Sequence, residues 1–108
     1  MPIHNKLVRD RIPEVIEKTG KKFSTRIMDK KEYIVELRKK AFEELEEYMN
    51  TENDSDAVEE LADLLEIIHA LADYHKVSFV DIEAVRKNKA EKRGGFKERI
   101  FLIEVEDE

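Results

Sequence analysis

The sequence predicts a mainly α-helical protein, a helix bundle in a single domain. Three observations predict it. Apolar residues recur at helical spacing through most of the chain. Helix start and stop residues punctuate that pattern at plausible intervals. The 108 residues span one domain, 1–108, with no internal repeat, low-complexity linker or composition break.

Taken in order, Arg11 to Lys18 reads as a short helix with Pro13 in its first turn and Gly20 behind it. "KKFSTRIMD" then alternates in strand fashion, with Phe23, Thr25 and Ile27 on one side. The next helix runs from about Lys30 to Met49, with Ile34, Leu37, Ala41, Leu45 and Tyr48 as its apolar stripe. Another runs from about Ser55 to Tyr74, with "NDS" supplying the N-cap. A last helix starts at Ser78, where Asp81 completes a variant capping box, and stops at Gly94-Gly95. "RIFLIEVE" near the C-terminus is strand-like, and its expected partner is the Phe23–Ile27 segment.

The helix from Ser55 to Tyr74 is apolar on most sides. Val58, Leu61, Leu65, Ile68 and Ala72 form one face, and Leu64, Ile67, Leu71 and Tyr74 another. Only Glu59, Glu66 and Asp73 trace a polar strip. With so few other elements to cover it, the expectation is a bundle completed by another copy of the chain, a homodimer or a dimer of dimers.

Composition excludes several functions. Charged residues make up 43% of the chain and the net charge is −6, which argues against nucleic-acid binding. Without cysteine there is neither a disulfide framework nor thiolate chemistry. "MPIHNKLVRD" lacks the apolar run of a signal peptide, and no stretch approaches a membrane span. A cytoplasmic protein is expected. Lys and Glu are abundant while Gln and Cys are absent, a bias shared with heat-adapted proteins.

The acidic residues divide by helical phase. At about 100° per residue, Glu60 and Asp63 sit side by side at the head of the Leu64/Ile67/Leu71 face, away from the polar strip. Glu44 lies at the edge of the preceding helix's apolar stripe, and Glu47 follows one turn later on the same side. A short connection makes the two helices antiparallel neighbours, so the two pairs reach the same level. Converging carboxylates on partly buried ground repel and take up protons unless a cation intervenes. Mg²⁺ suits them, with oxygen ligands and waters left for phosphates. The competing expectation is plain solvated helix charge, or an ion pair with Lys or Arg.

"EELEE" followed by "EELADLLE" resembles the Glu-x-x-Glu … Glu-x-x-Asp signature of the all-α nucleoside triphosphate pyrophosphatases, the group of MazG-like proteins, dimeric dUTPases and phosphoribosyl-ATP pyrophosphohydrolases. Its first half falls on Glu44 and Glu47. Glu43 and Glu46 have the same spacing, and periodicity favours Glu44/Glu47. Its second half falls on Glu60 and Asp63, after a gap that is short for the group. "NKLVRDRIPEVIE" and "KAEKRGGFKERI" are similar to the flanks of a stand-alone MazG-like subgroup of house-cleaning pyrophosphatases.

The resemblance implies a MazG-like fold and Mg²⁺-dependent hydrolysis of standard or non-standard nucleoside triphosphates to monophosphate and pyrophosphate. Glu44, Glu47, Glu60 and Asp63 would be metal ligands and catalytic residues, with Glu47 the candidate to position or deprotonate the water. By the same analogy Lys89 and Arg93 contact phosphate, Asn88 contacts base or sugar, and Lys6 and Arg9 are secondary contacts. Basic residues at a helix C-terminus are also simply favoured by the dipole. The histidines form no metal triad and there is no phosphate-cradling P-loop. The alternatives are phosphoribosyl-ATP pyrophosphohydrolase and a non-catalytic nucleotide- or partner-binding helical module.

Overall fold

A computed structural model describes residues 2–107 and contains four helices, with no strand among those residues. Helix α1 spans Ile12–Lys18, α2 Lys30–Met49, α3 Asp54–Tyr74 and α4 Phe79–Arg93. The caps are local and specific. Asp29 accepts from the Glu32 amide at the start of α2, and Asn53 from the Asp56 amide at the start of α3. Ser78 and Asp81 bond reciprocally at the start of α4. Gly94, at φ 80°, ends α4 by donating its amide to Ala90.

The centre of the molecule is the α2–α3 hairpin. Residues 50–53 connect the two helices, which is too short for anything but antiparallel neighbours. Ile34 and Leu37 are buried on α2, and Leu64, Ile67 and Leu71 of α3 are half-buried. The buried face of α2 is displaced from the expected stripe. Leu45 is 45% exposed, whereas Glu44 is only 9% exposed. The face that meets α3 is therefore centred on Leu37, Glu44 and the half-buried Tyr48.

The expected pairing of the Phe23–Ile27 segment with "RIFLIEVE" does not form. Both segments are irregular, and Ile27, Ile100, Phe101 and Ile103 stand largely in solvent. Two short strands have no independent stability without a further strand or a helix face to cover them. The first segment is tied instead to α2 by a two-pronged Arg26–Glu32 ion pair. The second begins at Arg99, whose positive φ of 56° interrupts extended backbone.

The Val58/Leu61/Leu65/Ile68/Ala72 face of α3 is covered only toward its C-terminal end, where Ala72 is buried and Ile68 half-buried. Val58, Leu61 and Leu65 remain exposed, as do Phe42 and Met49 on α2. The chain exposes 10507 Å², against about 6,300 Å² for a compact chain of this mass. Its radius of gyration is 18.8 Å, against roughly 13 Å for a compact domain of this length. Helix α4 packs on α3 alone among the described helices, with Phe79 stacked on His69 at 4.1 Å. No described helix is long and apolar enough to cross a membrane.

Candidate metal centre

The hairpin brings the last turns of α2 level with the first turns of α3. One carboxylate oxygen from each of Glu44, Glu47 and Glu60 lies within 4.8 Å of the other two. The three differ in access. Glu44 is buried, Glu60 half-buried and Glu47 exposed. The cluster is thus closed on its protein side and open at Glu47.

Its electrostatics are unresolved by the chain itself. Oε2 of Glu44 and Oε2 of Glu60 are buried and accept no hydrogen bond. Buried acceptors are normally satisfied, and an orphaned carboxylate oxygen bears its full desolvation cost. Burial, and then the neighbouring Glu47 carboxyl and Asp63, push the Glu44 pKa up to about 7. Lys40, on the preceding turn, opposes that shift. Loss of water raises Glu60 too, with Glu47 and then Asp63 adding to it. A divalent cation takes hard oxygen ligands, and Glu44, Glu47 and Glu60 are the residues that could hold one.

The fourth expected carboxylate is engaged elsewhere. Asp63 Oδ1 accepts from Arg9 Nη2 at 2.6 Å. The competing expectation of an ion pair therefore describes Asp63, whereas neither Glu44 nor Glu60 forms an ion pair among the described residues and the Oε2 of each accepts no hydrogen bond. The sequence suggests Arg9 as a phosphate contact, whereas in the structure it pairs with Asp63. No local signal marks a contact between residues 54 positions apart.

The other expected residues lie as follows. Glu43 is 3.6 Å from Lys40, and Glu43, Glu46, Glu59 and Glu66 are exposed. Lys6, Asn88, Lys89 and Arg93 are exposed, and α4, which carries three of them, makes no packing contact with α2. The structure does not bring the α4 cations to the acidic cluster of their own chain through helix packing. Arg86 is clamped on Glu83 one turn away. His75 caps the C-terminus of α3. The α2–α3 connection also frames an open hollow lined by Tyr48, Thr51, Asn53 and Ala57, which sequence reasoning did not single out.

Comparison with protein-family models, with curated proteins and with solved structures returned no match.

Proposed function

We propose that the chain is a Mg²⁺-dependent nucleoside triphosphate pyrophosphohydrolase. The observation that carries the reading is the Glu44/Glu47/Glu60 cluster, two of whose oxygens are buried without a partner. A solvated acidic face leaves no carboxylate oxygen in that state. The signature shared with MazG-like enzymes supports the choice of substrate class.

Glu44 and Glu60 would hold the ion from the buried side, and Glu47 would complete the set from the solvent side. A bound Mg²⁺ supplies charge neutralisation on phosphate oxygens and lowers the pKa of a coordinated water. Glu47, the accessible member, positions the attacking water and takes its proton. The water oxygen bonds to the α-phosphorus as the bond to the α–β bridging oxygen breaks. That electron pair leaves with pyrophosphate, and the nucleoside monophosphate remains. Lys89 and Arg93 are the proposed phosphate contacts, and Asn88 the base or sugar contact.

A second copy of the chain belongs to this reading. Phe42, Leu45 and Met49 on α2 and Val58, Leu61 and Leu65 on α3 are exposed stripes at helical spacing. In an antiparallel hairpin both stripes are rotated away from the shared seam to the same side, which makes one apolar surface. The excess exposed area exceeds what an obligate dimer interface requires. Light scattering is expected to give at least twice the 12.8 kDa chain mass. Leu61→Lys, at a position already exposed in the single chain, is expected to return the mass to one chain. A wild-type monomer would remove the second copy from the proposal.

The function is tested by pyrophosphate release from a panel of nucleoside triphosphates and phosphoribosyl-ATP, with Mg²⁺ and with chelator. Mg²⁺-dependent release from nucleoside triphosphates is expected. Nucleotide binding without turnover would make the chain a binding module. Turnover confined to phosphoribosyl-ATP would move it to that narrower activity.

A further inference from the structure

We propose that Arg9 is a built-in counter-cation, which occupies Asp63, the carboxylate one turn from Glu60, and gives it up when a divalent cation binds to the cluster. The inference rests on reading Glu44/Glu47/Glu60 as a cation site. It adds a role for the N-terminal segment that the reaction itself does not require.

The placement of the bond carries the argument. Arg9 to Asp63 joins residues 54 positions apart, whereas the other side-chain hydrogen bonds among the described residues span at most six. The one long-range side-chain bond found among the described residues therefore ends on the carboxylate that borders the Glu44/Glu47/Glu60 cluster. Asp63 stands one turn beyond Glu60 on the same face of α3. The independent sign that this region takes a ligand is Glu44, nine-tenths buried with Oε2 unpartnered.

The exchange follows from charge and exposure. A single guanidinium offsets one negative charge and reaches only Asp63, so the buried oxygens of Glu44 and Glu60 stay unsatisfied. A divalent cation brings two charges to those same oxygens. The Arg9–Asp63 pair is half open to water, at 59% and 40% side-chain exposure. Exposed pairs of this kind are weak and break at small cost. The Arg9 backbone is held where it is, since its carbonyl accepts from the Ile12 amide at the start of α1. Only the side chain must swing. Once free it presents a planar fork of donors beside the loaded site, suited to a phosphate group.

The test uses the full chain, Mn²⁺ or Mg²⁺ alone, and no nucleotide. Arginine side-chain NMR follows the Arg9 Nε–Hε resonance, assigned by its loss in Arg9→Ala, as the metal-free protein is titrated with Mg²⁺. It is expected to move from a paired to a free position in step with cation binding. Mn²⁺ affinity, measured by electron paramagnetic resonance, is expected to tighten about two- to fivefold in Arg9→Ala, the range that an exposed pair represents. Arg11→Ala, which removes the same charge two residues away, is expected to leave affinity unchanged. Cation binding with a stationary Arg9 resonance and equal affinities in wild type and Arg9→Ala would make the pair a fixed brace and overturn the exchange. Equal tightening in both variants would reduce it to general charge and also overturn it. Absence of any cation binding to the wild type would sink the site itself, a different and separable failure.

Discussion

Glu60→Gln is expected to lower pyrophosphate release by about 10²–10³-fold, the rate equivalent of several kcal/mol of metal-assisted charge stabilisation. The substitution keeps the shape of a half-buried side chain and removes the charge whose Oε2 has no other partner. Glu44→Gln is expected to act alike, because its oxygen stands in the same condition. Glu59→Gln and Glu66→Gln serve as the contrast. Both lie on α3 within a turn or two of Glu60, both are exposed, and both are expected to retain activity within about twofold, as surface changes usually do. Steady-state rates at saturating Mg²⁺, with folding checked by circular dichroism, decide the matter. Equal losses from all four would show that the faces of α3 are assigned wrongly. Asp63→Asn carries a different expectation, since that carboxylate faces Arg9, and its loss is expected to be smaller than that of Glu60→Gln.

The second large effect concerns pH and metal together. In the metal-free protein Glu44 titrates at about 7, above the ordinary 4.5 of an unfolded chain. Between these values the folded state holds a proton that the unfolded state has lost. Stability linked to this group is therefore full below about pH 4.5, falls as pH rises through 7, and is absent above it. Glu60 shifts in the same direction. The melting temperature of the chelated protein is thus expected to fall from pH 5.5 to pH 8. Glu44→Gln is expected to flatten that fall. Mg²⁺ at a hundred times its Kd stabilises by about 2.7 kcal/mol, which is on the order of 10 °C for a chain of this size. This stabilisation is expected at pH 8 and much reduced at pH 5.5, where Glu44 retains its proton. Melting curves at the two pH values, with Mg²⁺ and with chelator, test it. A wild-type melting temperature that rises with pH, or a Mg²⁺ effect indifferent to Glu44→Gln, would contradict the assignment.

Much of the fold is legible in the sequence. The caps at Asn53 and Ser78 and the stop at Gly94 are short-range events, decided by side chains within three or four residues of the amides they meet. Helical phase separated Glu44 from Glu43 and Glu60 from Glu59, because side chains one position apart point about 100° apart. The strand pairing was illegible for the complementary reason. β-propensity in "RIFLIEVE" records what the segment tolerates, whereas a strand exists only when a partner backbone lies alongside. Leu45 lies outside the buried face, and an apolar residue at the stripe's edge looks the same in sequence whichever way the neighbouring helix leans.

By itself the sequence determined the helical segments, their ends, and the placing of Glu44/Glu47 and Glu60/Asp63 at one level of a hairpin, where Glu44, Glu47 and Glu60 gather and Asp63 does not join them. Each depends on local geometry repeated at 3.6 residues per turn, and the short connection supplies the rest. Only the tertiary structure decided that Glu44 sits inside the seam with an unpartnered oxygen, that Val58, Leu61 and Leu65 of α3 are left uncovered, and that Asp63 is held by Arg9. These depend on which surfaces meet after the chain has turned back on itself. Contacts of that kind are set by the balance of burial against desolvation across distant residues, which no window of sequence contains.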